Sequence, residues 1–233
     1  MLVVGHRGVA GRFPENTLVS IAEAAKLGLE WVEVDVQPTL DEELVICHDH
    51  TVNRCSNGKG RVDEQTLETL KHLDFGSWFS EDFAHQSILT LDELLAFAEK
   101  AKLKVNLEVK IDRHDAERVC QILKRYLDKS SFPSDHILLS SFNHQIIRHL
   151  HQQLPHHRLA VLSERLKPSD KRLLKEVSAF GCNLNYRWVT KSHIRYLKEH
   201  DYQVWCYTVN NPNALKHLSG LDGIFSDFPE RFL

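Results

Sequence analysis

Short apolar runs alternate with stretches of helical periodicity along most of this chain, and that alternation constrains the fold more than any other feature. A repeated strand-then-helix reading builds βα units with strands paired in parallel. Nine runs read as strands: Leu2–Gly5, Trp31–Val36, Leu44–Cys47, Lys104–Val109, Ile137–Ser140, Leu159–Leu162, Cys182–Tyr186, Val204–Val209 and Gly223–Ser226. Helix signals fall between them. Asn16 is placed to cap a helix from Thr17 to Leu27, which Gly28 ends. Thr90-Leu91-Asp92-Glu93 spells a capping box opening a helix to about Lys102. Further helices are predicted over Asp115–Asp128, His144–Leu154, Ser169–Phe180, Ser192–His200 and Pro212–Leu218. The last has Asn211 as cap and proline at its first position.

Nine strands are one too many for an eight-stranded barrel, and spacing identifies the extra one. Only a few residues around Thr39–Glu43 separate the second and third candidates, whereas a parallel crossover needs about a dozen. The third therefore folds back antiparallel on the second. With the turn near Glu42, His48 falls opposite roughly residues 35–37 and beside Asp35. The eight remaining strands predict a (β/α)8 barrel filling one domain over 1–233. Residues 49–89 break the alternation and read as an insertion near the active face, with one short helix over Glu64–Leu73. Its aromatic patch, around Phe75, Trp78, Phe79 and Phe83, reads as the insertion's own core or as a lid wall.

Composition excludes several function classes. Hydrophobic residues make up 42% of the chain, enough for a full core. The net charge of -3, with mixed signs, gives no basic stripe for nucleic acid. Lys124-Arg125 and the group Lys167, Lys171, Arg172 and Lys175 read as solvated helix faces. The cysteines number 5, with no CxxC spacing, so neither disulfides nor structural zinc are expected. Cys47, Cys182 and Cys206 lie in apolar runs and read as small core residues. The first motif at residue 6 leaves no room for a signal peptide, and no apolar run is long enough to insert stably in a membrane. A reducing cytoplasm is the expected location.

The residues with chemistry sit at strand ends: His6-Arg7-Gly8, Glu33-Val34-Asp35, His48-Asp49 and Glu108-Val109-Lys110. Side chains alternate along a strand, so Glu33 and Asp35 share a face, as do Asn106, Glu108 and Lys110. If the two strands are neighbours, three carboxylates converge at the C-terminal rim, where barrel active sites lie. They would repel unless a cation lay between them, and oxygen-only ligands favour a hard ion such as Mg2+ or Ca2+. Among 15 histidines, His6 and His48 stand out because both end β runs. Imidazole titrates near neutral pH and suits a general acid and base. His50 has no matching role and is expected to face away, and His144, His149, His151, His156 and His157 read as surface residues. Arg7 and Lys110 suit phosphate oxygens, or else neutralise the carboxylates. Gly8 and Gly11 allow a tight first loop, but no dinucleotide, P-loop or zinc-protease motif is present.

The stretch from His6-Arg7-Gly8 through Pro14-Glu15-Asn16-Thr17, Glu33-x-Asp35 and His48-Asp49 to Arg54 resembles the glycerophosphodiester phosphodiesterase family. The likeness continues through Asn106-x-Glu108-x-Lys110, Ser141-Phe142, Thr208-Val209-Asn210 and Ser226-Asp227-Phe228-Pro229. It implies a TIM barrel with a small insertion that splits a glycerophosphodiester, such as glycerophosphocholine or glycerophosphoethanolamine, into sn-glycerol 3-phosphate and an alcohol. It also implies acid/base roles for His6 and His48, a metal on Glu33, Asp35 and Glu108, and substrate contacts from Arg7 and Lys110. Tyr207 stands where the family often has tryptophan before Thr-Val-Asn, keeping an aromatic pocket wall but adding a hydroxyl. Two other readings fit the same residues: a lysophospholipase D on this scaffold, which would need an apolar channel for an acyl chain, and a non-catalytic glycerophosphate-binding module.

Overall fold

In the computed structural model, which describes residues 1–233, eight parallel strands close into a barrel. They are β1 (Leu2–His6), β2 (Trp31–Pro38), β5 (Lys104–Val109), β6 (Ile137–Ser141), β7 (Arg158–Ser163), β8 (Gly181–Asn185), β9 (Gln203–Tyr207) and β10 (Gly223–Ser226). Closure comes from β1 pairing with both β2 and β10. As expected, the third strand β3 (Leu44–Ile46) folds back antiparallel on β2, pairing Val36 with Ile46 and Pro38 with Leu44. This register sets the turn one position earlier than Glu42 implied, so Cys47 meets Asp35 and donates its backbone N–H to the Asp35 carbonyl at 2.9 Å. A tenth strand, β4 (Leu89–Thr90), extends the arm through β3. Its two residues are too short to leave a periodic trace in the sequence.

Helices cover the outside: α1 (Leu18–Lys26), α3 (Leu91–Ala101), α4 (Ala116–Leu127), α5 (His144–Gln153), α6 (Pro168–Glu176) and α7 (Lys191–Glu199), with the short α2 (Leu67–Lys71) between β3 and β4. The Thr90 capping box forms as read, the Thr90 side chain accepting from Glu93 N–H while Glu93 bonds back. Three helix readings need correction. The predicted Glu64–Leu73 helix is a 3-10 turn at Val62–Glu64 followed by α2, and Pro212–Leu218 forms only a 3-10 turn over Pro212–His217. The predicted Ser169–Phe180 helix stops at Glu176, because Ser178 takes a left-handed φ of 47°.

Two layers of packing place the polar site. Outward strand residues such as Val32, Val34, Leu107, Leu139 and Cys182 pack against the helices in the main core. Inward residues at the N-terminal end (Val4, Trp31, Leu138, Ala160, Trp205 and Phe225) plug the barrel. Trp31 and Trp205 meet edge-on at 5.5 Å, and Trp205 and Phe225 pack at a tilt at 5.7 Å. Gly223 leaves room for this plug, since a Cβ there would sit 3.0 Å from the Trp205 ring. With its lower half filled, the barrel keeps inward polar groups for the opposite end. All five cysteines are buried free thiols. The segment between β3 and β4 packs around a separate small cluster including Val52, Cys55, Val62, Leu70 and Phe75. The aromatic patch is thus divided: Phe75 joins that cluster, while Phe83 lies against Phe13 of the β1–α1 loop at 5.3 Å.

Candidate active site

Strand register brings the acidic residues together. Asp35 lies directly across from Glu108, and Glu33 from Asn106, so the three carboxylates line one inward stripe of β2 and β5. Their ligand atoms all lie within 4.8 Å of one another. Asp35 is fully buried and its Oδ1 has no hydrogen-bond partner. Burial, reinforced by the Asp35 charge, pushes the Glu33 carboxyl up to about 8 and raises Glu108 too. Asp35 goes the other way: burial would raise it, but Arg7, Lys110 and His48 hold it low. These three carboxylates could hold a cation, and their all-oxygen donor set fits a hard divalent ion.

Both sequence-selected cations reach this cluster. Arg7 Nε lies 3.2 Å from Asp35 and its Nη1 donates to Glu15 at 2.8 Å. Lys110 Nζ donates to Glu108 at 2.8 Å and sits 3.6 Å from Asp35. The β1–α1 loop is held for this purpose. Gly8 takes φ +87°, and a Cβ there would lie 2.6 Å from the Ser20 backbone, so only glycine fits. Ser20 Oγ then donates to the Arg7 carbonyl at 2.9 Å and accepts from Val9 N–H at 2.8 Å.

The histidines are held alike. His6 Nδ1 bonds Asp227 Oδ1 at 2.6 Å, and His48 Nδ1 bonds Asp49 Oδ1 at 2.8 Å. Each ring therefore commits Nδ1 to a carboxylate and leaves Nε2 free; that of His6 lies 3.9 Å from Glu33. Their basicities diverge. Burial would lower His6, but the Asp227 bond and the Glu33 charge raise it overall, whereas burial keeps His48 low. Both line one cavity of about 180 Å³ with Arg7, Glu33, Glu108 and Lys110. Tyr207 forms part of its wall and meets Phe142 edge-on at 5.8 Å. A larger groove of about 610 Å³ lies outside the barrel by α3, α4 and the β2–β3 turn, but its Glu42 is already paired with Arg118 and Arg125.

Several expectations change here. Asn16 is not the α1 cap: Thr17 is, accepting from Ser20 N–H, while Asn16 adopts φ 58° and donates its amide to Asp35 Oδ2 at 2.9 Å. His50 does not face away; it lines a groove of about 340 Å³ with Glu108, Lys110 and Phe142, its ring near Gln37 at 3.4 Å. His144 is no free surface residue, since it pairs with buried Asp170 at 2.9 Å. Three residues at the site, Glu15, Asp49 and Asp227, have no individual role in the reading of the sequence, and Asn16 has only that of a cap. Asp227 is itself held by Asn210, whose amide donates to Oδ2 at 2.7 Å and whose Oδ1 accepts the Asp227 backbone N–H at 2.9 Å. A signal for it existed: Asp227 lies two positions beyond inward-facing Phe225, hence on the same face.

Comparison with known proteins supplies the family. The model of the glycerophosphoryl diester phosphodiesterase family matches residues 6–231. The chain is 32% identical to a glycerophosphodiester phosphodiesterase of Bacillus altitudinis, over 98% of this chain and 95% of that protein. It is 31% identical to one from Caldanaerobacter subterraneus subsp. tengcongensis, over 100% and 96%. Among solved structures it is similar to a phosphodiesterase from Oleispira antarctica in complex with the product sn-glycerol-3-phosphate. That match has a TM-score of 0.93 and 29% identity, covering 99% of this chain and 94% of the other.

Proposed function

The chain belongs to the glycerophosphoryl diester phosphodiesterase family, and from that membership and the site geometry we propose that it hydrolyses glycerophosphodiesters to sn-glycerol 3-phosphate and an alcohol. One observation carries this reading: two imidazoles, each tied at Nδ1 to a carboxylate, open on one cavity with three clustered carboxylates and two cations. Glu33, Asp35 and Glu108 would hold a divalent cation, Mg2+ or Ca2+. When bound, that ion supplies positive charge to a non-bridging phosphate oxygen. Arg7 and Lys110 lie beside the same carboxylates and orient the remaining phosphate oxygens. Hydrolysis requires one proton removed from the nucleophile, water or the glycerol 2-hydroxyl, and one delivered to the departing alkoxide. His6 and His48 carry these two transfers through Nε2. Asp227 and Asp49 fix each tautomer by accepting the Nδ1 proton. Tyr207 and Phe142 form an aromatic wall for the substrate.

The cavity of about 180 Å³ suits a deacylated substrate better than one carrying an acyl chain. No helix is long and apolar enough to cross a membrane. The five free thiols fit a reducing compartment such as the cytoplasm. The deciding experiment measures glycerol 3-phosphate release from glycerophosphocholine, with and without EDTA, for the native protein and for His6→Ala and His48→Ala. Each alanine variant is expected to lose ~100-fold or more in turnover. No glycerol 3-phosphate release by the native protein refutes the hydrolase reading; near-native turnover in either variant refutes the histidine roles, and full activity in excess EDTA with no tightly held metal refutes the cation site.

A further inference from the structure

Arg54 lies between β3 and β4, outside the cavity, yet it joins the two halves of the site. Its Nη1 and Nη2 each donate to Glu15 at 2.8 Å. Its Nε and Nη2 donate to Asp49 at 2.8 and 2.9 Å. Both carboxylates are thus gripped two-pronged by one guanidinium. Each then reaches a site residue: Asp49 bonds His48 Nδ1, and Glu15 bonds Arg7 Nη1, both at 2.8 Å. The route runs from a proton carrier to a phosphate-binding cation through one side chain that touches neither.

We infer that Arg54 is a positioning residue, holding the His48 imidazole through Asp49 and the Arg7 guanidinium through Glu15. This rests on the proposed hydrolase reading. The segment bearing Arg54 is braced for the task. The guanidinium carbon lies 6.0 Å from the Trp78 ring centroid. From Trp78 the aromatic contacts run through Phe79 and Phe83 to Phe13, at 5.6, 5.8 and 5.3 Å, ending on the loop that carries Glu15. The segment and the β1–α1 loop are therefore joined twice, by aromatic rings and by a shared cation. Removing the guanidinium leaves Asp49 and Glu15 as neighbouring like charges with no shared cation, free to shift and to carry the His48 ring and the Arg7 guanidinium with them. Lysine keeps the charge but lacks the planar fork that grips two carboxylates at once. The Arg54 side chain is 44% exposed, so solvent screens part of its pairing, and no apolar core residue is disturbed by its removal. A kinetic effect is therefore separable from unfolding.

The test is a double-mutant cycle on glycerophosphocholine hydrolysis. Arg54→Met is expected to lower kcat by ~10- to 100-fold, the cost of misplacing a reacting group by up to about 1 Å, with Tm nearly unchanged. In an Asp49→Asn background the same substitution is expected to cost less, ~3- to 10-fold, because the route to His48 is already cut and only the Glu15 arm to Arg7 remains. Arg54→Lys is expected to recover only a minor part of the loss. Equal fold losses in the two backgrounds, full recovery by lysine, or an Arg54→Met enzyme with native kcat would each overturn the assignment. Absence of turnover in the native protein refutes the hydrolase reading itself, and this role with it.

Discussion

Replacing Asp227 by asparagine changes one atom and should nearly abolish turnover, for a reason fixed by the neighbouring residue. Asn210 cannot turn around: its Oδ1 accepts the Asp227 backbone N–H at 2.9 Å and the Ser226 hydroxyl at 3.2 Å, so its Nδ2 must point at Asp227 Oδ2. An asparagine at 227 must therefore present its oxygen to Asn210 and its NH2 to His6. The His6 Nδ1, 2.6 Å away, then has to accept rather than donate. Its proton moves to Nε2, the nitrogen that faces the cavity, and the ring can no longer take a proton there. An Asp→Asn change that forces the wrong tautomer on a catalytic imidazole is worth about 10⁴-fold in kcat, or about 5.5 kcal/mol of barrel-mouth catalysis at about 1.4 kcal/mol per tenfold. Alanine at 227 leaves Nδ1 free to donate to water and should cost less, about 10²-fold. The order is the distinctive part: asparagine worse than alanine. Steady-state release of glycerol 3-phosphate from the two variants measures it. An asparagine variant as active as the alanine variant, with both folded by circular dichroism, refutes the tautomer argument.

Other expectations follow from the same geometry. Mg2+ or Ca2+ should raise Tm, by an amount equivalent to about 2.7 kcal/mol at a hundredfold excess over Kd; Asp35→Asn should remove the shift, and an unchanged response in that variant would place the ion elsewhere. The Ser140 hydroxyl is fully buried with no partner, so Ser140→Ala should leave stability within about 0.5 kcal/mol of native or raise it; a urea-measured loss above about 1 kcal/mol would contradict that. Burial would raise the Asp74 carboxyl, but backbone N–H groups of His85, Gly76 and Ser77 win and draw it down to about 2. Its folded pKa is thus depressed, so it contributes stability above its unfolded value near 3.9 and loses it as pH falls toward 2. The urea midpoint gap between native protein and Asp74→Asn should be widest near pH 6 and shrink steadily below pH 4; a gap independent of pH would exclude this role.

The barrel was legible because its strands carry local signatures and because chain length between Pro38 and Leu44 forbids a parallel crossover. The carboxylate stripe was legible for the same reason, since alternation fixes faces once adjacency is granted. What escaped detection depends on contacts that local patterns do not encode. Asn16 and Thr17 are both good caps, and only the proximity of Asp35 decides that Asn16 leaves the helix to bond it. His50 was assigned outward by lack of a role, yet its position past β3 turns it toward Gln37. Asp227 joins His6 across 221 positions of sequence, a distance no periodicity spans. Arg54 fell within the family-like stretch but sat in a segment without regular structure, where side-chain direction cannot be counted.

The seam where β1 meets β10 has a bearing on when the protein can first work. His6 belongs to the first strand of the barrel in chain order, and Asp227 follows the last. A nascent polypeptide with seven strands in place would already possess its acidic cluster, but one imidazole would lack its anchoring carboxylate. Activity should therefore arrive abruptly, when the barrel closes, and proteolytic removal of Asp227 should silence the enzyme while leaving its acidic cluster in place.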